Sequence, residues 1–258
     1  MPFTVSHAAA VLPFRKLKLV WSAFIIGTMA PDFPYVVGST VYRDVGHVLP
    51  GIFIFTIPAS LFALWLFHSV IKRPIIGLLP AGMQLRLRDQ LEDFLFGGAS
   101  RFVAILFAIV LGIATHLVWD SITHTRTWAF NHFRLLRGWM HVPLVGNMPV
   151  HSVLQYGSSA LGLLALAIWV MVWYHRTPVS AAVSQGRPRS RFALAVVMLA
   201  VAGLAGLARA LVVVGPPATR FNADKFMFVF GVTALALAFW QLLLYCVLVS
   251  SHQVWTLS

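Results

Sequence analysis

Read as apolar against polar positions, the 258-residue chain is dominated by five long runs almost free of charge: residues 49–71, 102–122, 153–174, 192–214 and 227–250. Each exceeds the roughly 18 apolar residues that cross a bilayer as a helix. The pattern predicts an all-α fold, a polytopic membrane helix bundle with about five full transmembrane helices. The chain reads as a single integral membrane domain over 1–258.

Two shorter apolar stretches, HAAAVLPF and VWSAFIIGTMA, precede the first long run, with Pro13, Arg15, Lys16 and Lys18 between them. Neither is long enough to span. They fit an N-terminal helical hairpin within residues 1–48: a short helix over 5–12, a basic turn, and a return helix over 19–30. Folding back brings His7 and Asp32 to one level. The basic residues follow the first apolar stretch rather than precede it, which is not the layout of a secretory signal.

Composition supports the membrane reading. Hydrophobic residues make up 59% of the chain and charged residues 10%, against about 25% charged in ordinary soluble domains. The net charge of +12 suits membrane lipids as partners, because basic loops meet anionic headgroups. No basic, aromatic-interleaved stretch forms a separate soluble domain, so nucleic acid is not expected as a partner. The lone cysteine, Cys246, excludes an intrachain disulfide and a thiolate-rich metal site.

Charge also orients the chain. With the hairpin entering the membrane, the basic turn, the loop 72–101 and the loop 175–191 share one side and hold twelve of the 19 Lys and Arg residues. The other side holds six, Arg43, Arg126, Arg134, Arg137, Arg220 and Lys225, and Arg209 is inside a run. The positive-inside rule makes the richer side cytoplasmic. That loop contains MQLRLRDQLEDFLFGG, whose Met83, Leu87, Leu91, Phe94 and Leu95 share a helical face, predicting an interfacial helix. The exoplasmic loop 125–151 is aromatic, with Trp128, Phe133 and Trp139; SQGRPRSR at 184–191 reads as a solvated linker.

Within GIATHLVWDSITH, His116, Asp120 and His124 recur every four residues, on one stripe of the helix. Ionisable groups facing hydrocarbon are costly, about 2.5–3.5 kcal/mol each on insertion scales, so the stripe is expected to face inward. The chain has seven acidic residues, and only Asp32 and Asp120 end apolar segments. The topology brings His7, Asp32, His47, His116 and Asp120 to one depth near the exoplasmic face. Imidazole and carboxylate together suit a divalent metal: zinc, with iron or manganese as alternatives. A hydrogen-bonded polar knot is the structural alternative. His68, His175 and His252 fall toward the opposite side and read as interfacial. His132, His141 and His151 lie on the cluster's side, and His151 is a candidate substrate-binding group. Arg209, late in its helix, is a candidate clamp for an anionic substrate, with snorkelling its ordinary role.

The run MPFTVSHAAAVLPFR, GTMAPDFPY, GHVLPG, LGIATHLVWDSITH and LQYGSSALG resembles an uncharacterised bacterial membrane family, domain of unknown function 4184. More distantly, an N-terminal His, an Asp, a His and then His-x-x-x-Asp is similar in order to the ligands of zinc-dependent phospholipase C and of membrane-bound metal-dependent hydrolases. That similarity implies His7, Asp32, His47, His116 and Asp120 as metal ligands, with Asp32 or Asp120 bridging. A later His-x-x-x-Glu pair is missing, and Glu92 stands on the other side. The expected function is a metal-dependent hydrolase in the bacterial plasma membrane, acting on a lipid or phosphoester at the exoplasmic surface, with Asp120 or His124 accepting the proton. The alternatives are a non-catalytic scaffold around a structural cluster and a metal or proton transporter.

Overall fold

The computed structural model describes residues 4–36, 45–91, 93–143, 145–179, 191–217 and 220–255. The chain opens with a 3₁₀ helix, Thr4–Phe14, and returns as α1, Trp21–Met29, which is the hairpin expected at the N-terminus. Short turns at Ala30–Asp32 and Phe33–Val36 follow. Then come α2 (Leu49–Leu78), α3 (Ala81–Leu87), α4 (Ala99–Thr123), α5 (Trp128–His132), α6 (Val150–Arg176), α7 (Phe192–Val214) and α8 (Arg220–Trp255). Five of these helices are long and apolar enough to cross a membrane, and the protein is a multi-pass membrane protein. They turn apolar side chains outward, among them Ile54, Val103, Leu161 and Val212, as lipid-facing spans do.

α2 is interrupted by two π turns, Ile52–Thr56 and Phe67–Ile71. Each contains the residue four before a proline, Pro58 or Pro74. A proline lacks the N–H for that carbonyl and its ring crowds it, and a widened turn relieves the clash.

The core that positions the site is the packing of α1 on α4. Phe24, Ala23 and Ile26 bury against Ile105, Ala108, Ile109 and Ile113, with Leu64 of α2 closing the group. Backbone-to-backbone approach makes this possible. A Cβ on Gly27 would lie 2.4 Å from the Ile109 carbonyl oxygen, and one on Gly112 would lie 2.5 Å from that of Phe24. Small residues at a helix crossing allow this in membranes. The second close approach is at Gly46, where a Cβ would lie 2.1 Å from the Pro31 carbonyl oxygen. The loop bearing His47 is thereby pressed against the loop bearing Asp32.

Three expectations need correction. The first span continues beyond residue 71 to Leu78, so the connection to α4 starts later than 72. The interfacial helix covers only Ala81–Leu87, followed by a single 3₁₀ turn, Arg88–Gln90. Its expected apolar face is divided because Phe94 leaves the surface to stack on His68, ring centroids 3.9 Å apart, while Leu95 stays exposed. The aromatic loop between α4 and α6 is also more structured than its composition suggests. It holds α5, a 3₁₀ turn at Arg134–Arg137, and an antiparallel hairpin of β1 (Trp139–Val142) and β2 (Gly146–Pro149). Arg43, Asp44, Glu92 and residues 184–190 of the expected linker lie outside the described residues, as does the side chain of His252.

Candidate metal centre

Four chain segments meet at one end of the bundle. The 3₁₀ helix brings His7, the turn after α1 brings Asp32, the approach to α2 brings His47, and the last two turns of α4 bring His116 and Asp120. Asp32 and His116 are fully buried, and His7 and Asp120 are 6% exposed.

The glycine crossing sets the position of His116. It lies one turn beyond Gly112, which brings its ring to the end of α1, where Nδ1 donates to the Thr28 carbonyl at 2.8 Å. With Nδ1 carrying the proton, the Nε2 lone pair faces the cluster. A backbone carbonyl fixing the tautomer in this way is the usual support of a metal-bound histidine. Asp32 is steadied similarly: Thr4 donates to its Oδ2 at 2.7 Å, leaving Oδ1 to the cluster.

Three atoms form a nearly equilateral triangle. His116 Nε2 is 3.3 Å from Asp120 Oδ2 and 3.3 Å from His47 Nε2, and His47 Nε2 is 3.4 Å from Asp120 Oδ2. Tetrahedral zinc with bonds of about 2.0–2.1 Å has ligand-to-ligand edges of about 3.3–3.4 Å. Asp32 Oδ1 stands over this triangle, 3.7 Å from His47 Nε2 and 3.9 Å from His116 Nε2. The other oxygen of Asp120 faces a different pair, His7 Nε2 at 3.5 Å and His124 Nδ1 at 3.6 Å. The cluster thus contains two overlapping triads that share His116: His47, His116, Asp120 and His7, Asp32, His116, each with ligand atoms within 4.8 Å of one another.

These spacings exceed the 2.7–2.9 Å of a charge-assisted hydrogen bond, and Asp32 Oδ1 and Asp120 Oδ1 are buried with no hydrogen-bond partner. A buried carboxylate oxygen left unpaired is costly. Asp32 Oδ1 faces the His47–His116 side of the cluster and Asp120 Oδ1 the His7–His124 side, so positive charge held on each side would satisfy the two oxygens.

His124 stands at the edge, its side chain 28% exposed. It contacts Thr123 Oγ1 at 2.9 Å and is approached by the Gln155 amide of α6 at 3.3 Å. His47, 26% exposed, forms the other open side. His151 contacts Ser152 and the Phe130 ring one turn before Gln155, and its Nδ1 has no partner. Arg209 is bonded to Thr233 on the α7–α8 pair, at 3.1 Å. Among the described residues neither joins the ligand atoms. His68 is likewise apart, bonded to Ser22 at 2.9 Å.

Thr4, Thr28 and Gln155 support the cluster but were not marked by the sequence. Thr28 acts through a backbone carbonyl, which leaves no residue-type signal. Thr4 and Gln155 become visible only once the chain has folded back.

The family described as Domain of unknown function (DUF4184) matches residues 1–247, and the chain belongs to it. No curated protein and no solved structure matches.

Proposed function

We propose that this membrane protein is a metal-dependent hydrolase whose site, at headgroup depth toward the exoplasmic face of the plasma membrane, acts on a phosphoester of a lipid or lipid-linked substrate. The observation that carries the reading is the triangle of His47 Nε2, His116 Nε2 and Asp120 Oδ2, with edges of 3.3–3.4 Å, beside the unpartnered Oδ1 of Asp32. His7, Asp32, His47, His116 and Asp120 would hold the ion, with zinc favoured by the donor set and the tetrahedral spacing. When bound, a divalent ion lowers the pKa of water and polarises a phosphoryl or carbonyl oxygen.

The remaining chemistry belongs to the chain. His124 is oriented by Thr123 and Gln155 at the accessible edge, where a proton leaving an attacking water would be accepted. Asp120 Oδ1 lies 3.6 Å from His124 Nδ1, close enough for its charge to favour the protonated imidazole. Burial of His7, Asp32 and His116 keeps bulk water from the ligands. Against transport, His68 at the other end of α2 is occupied by Ser22 and Phe94, so no comparable cluster continues the path there among the described residues.

The test is the His124→Ala variant, purified in detergent and compared with wild type on bis-phosphoester lipids. Metal content is expected to stay within error of wild type while turnover falls by about 10²–10⁴-fold, the usual scale of a general base. Wild-type protein that retains metal but turns over no phosphoester would leave the scaffold reading standing instead.

A further inference from the structure

Residues 124–149 join α4 to α6 and leave the membrane beside the cluster. His124 begins the segment, and Gln155, one turn into α6, contacts His124. Both flanking helices span the membrane, so the segment lies at the bilayer surface. It carries three exposed arginines, Arg126, Arg134 and Arg137, and no carboxylate: from residue 121 to 223 the chain has neither Asp nor Glu. Beside them Trp128, Phe133 and Trp139 are 67%, 53% and 68% exposed, although rings of this size usually bury. Tryptophan and phenylalanine around basic groups at a membrane surface suit the headgroup layer.

The segment is held in shape. Leu136 and Ala129 are buried, β1 pairs with β2, and the Val150 amide donates to the Gly138 carbonyl at 3.0 Å. Arg126 has φ +64°, a left-handed conformation that disfavours residues with a side chain. The turn is fixed by Thr127, whose hydroxyl shares its one proton between the carbonyls of Ser121 and His124 and accepts from the Phe130 amide. A glycine would be cheaper at position 126, yet a guanidinium stands there, two residues from His124. On the charge count, this side of the membrane is also the one where basic residues are disfavoured. Three arginines here call for a partner.

We propose that the 124–149 segment is a docking surface for anionic phospholipid headgroups, gathering negatively charged lipid at the open edge of the cluster formed by His47 and His124. The arginines attract the phosphate, and the exposed rings seat among the acyl carbonyls. The inference rests on the proposed hydrolase only for the use made of the gathered lipid, whose class it narrows to anionic phospholipids; the docking itself does not depend on turnover.

The full chain, solubilised in a neutral detergent, is titrated with dioleoyl phosphatidylglycerol or dioleoyl phosphatidylcholine, and bound lipid is counted by native mass spectrometry. The comparison is a variant carrying Arg126→Gly, Arg134→Gln and Arg137→Gln; glycine suits the backbone at 126, so the fold is expected to survive, checked by thermal unfolding. Wild type is expected to prefer phosphatidylglycerol. Each arginine near an anionic surface contributes about a five-fold preference, so the triple variant is expected to lose about a hundred-fold, with metal content unchanged. A wild type without preference, or a variant that keeps it, overturns the proposal. Metal content is read on the same samples: a metal-free wild type that still selects phosphatidylglycerol would sink the hydrolase and leave this surface standing.

Discussion

Asp120→Asn is expected to empty the site of metal while leaving the metal-free protein at least as stable as metal-free wild type. Among the described residues Asp120 is the one whose two oxygens face both halves of the cluster, His47 and His116 through Oδ2, His7 and His124 through Oδ1. Its amide fills the same volume but brings no charge. Disturbing a group that merely supports a ligand weakens metal binding by about 10–100-fold, so loss of a shared carboxylate ligand should cost at least 100-fold. Competition with a chelator of known affinity measures it.

The stability half of this prediction separates a metal centre from a polar knot. If Asp120 existed to pair with its histidines, removing its charge would destabilise the protein whether or not metal is present, by about 3–5 kcal/mol for a broken buried pair. If Asp120 exists to hold a cation, metal-free wild type carries a buried carboxylate whose Oδ1 has no hydrogen-bond partner, and Asn relieves that charge. Thermal unfolding of both proteins after chelation, and again after metal is restored, distinguishes the two. Only wild type should gain stability on reloading.

Gly112→Val is expected to separate α1 from α4 and with it the site. The added Cβ would meet the Phe24 carbonyl oxygen at 2.5 Å and the Thr28 amide nitrogen at 2.7 Å, and these are backbone atoms that no rotamer change can move. Overpacking of side chains costs about 1–3 kcal/mol; a backbone clash at a helix crossing should cost about 3 kcal/mol or more. Because His116 hangs from the same crossing through its bond to Thr28, metal retention should fall with stability. Gly157 and Gly203 provide the control. Nothing lies within 4 Å of a Cβ at either, so alanine there should be neutral or slightly stabilising in a helix. Melting curves in one detergent compare all three.

Much of this was readable from the sequence. Five apolar runs fixed the helix count, because nothing but length and charge decides whether a segment spans. The four-residue spacing of His116, Asp120 and His124 placed them on one stripe, and the scarcity of carboxylates drew attention to Asp32. The hairpin could be inferred from Pro13 and the basic cluster between two apolar stretches too short to span. The boundaries were less legible. Lys72 and Arg73 look like the end of a span, yet helical hydrogen bonding continues through them to Leu78. The heptad-like Met83, Leu87, Leu91, Phe94 pattern promised a longer helix, but Phe94 is claimed by His68, a tertiary contact that overrides a local period. The β hairpin was missed because its strands, WMHV and GNMP, show neither alternation nor a strong turn pair. Arg209, a candidate for substrate, is bonded to Thr233, a pairing between helices that no motif announces.

The central claim is that imidazoles and carboxylates from four chain segments converge to hold a divalent cation, and X-ray absorption at the metal edge tests it most directly. Wild-type protein purified without chelators and dialysed against trace zinc, iron and manganese should carry at least one ion per chain. Its ligands should be nitrogen and oxygen at about 2.0–2.2 Å, with imidazole scattering and no sulfur. A chain that remains metal-free after this dialysis, or an ion bound without imidazole, would contradict the account.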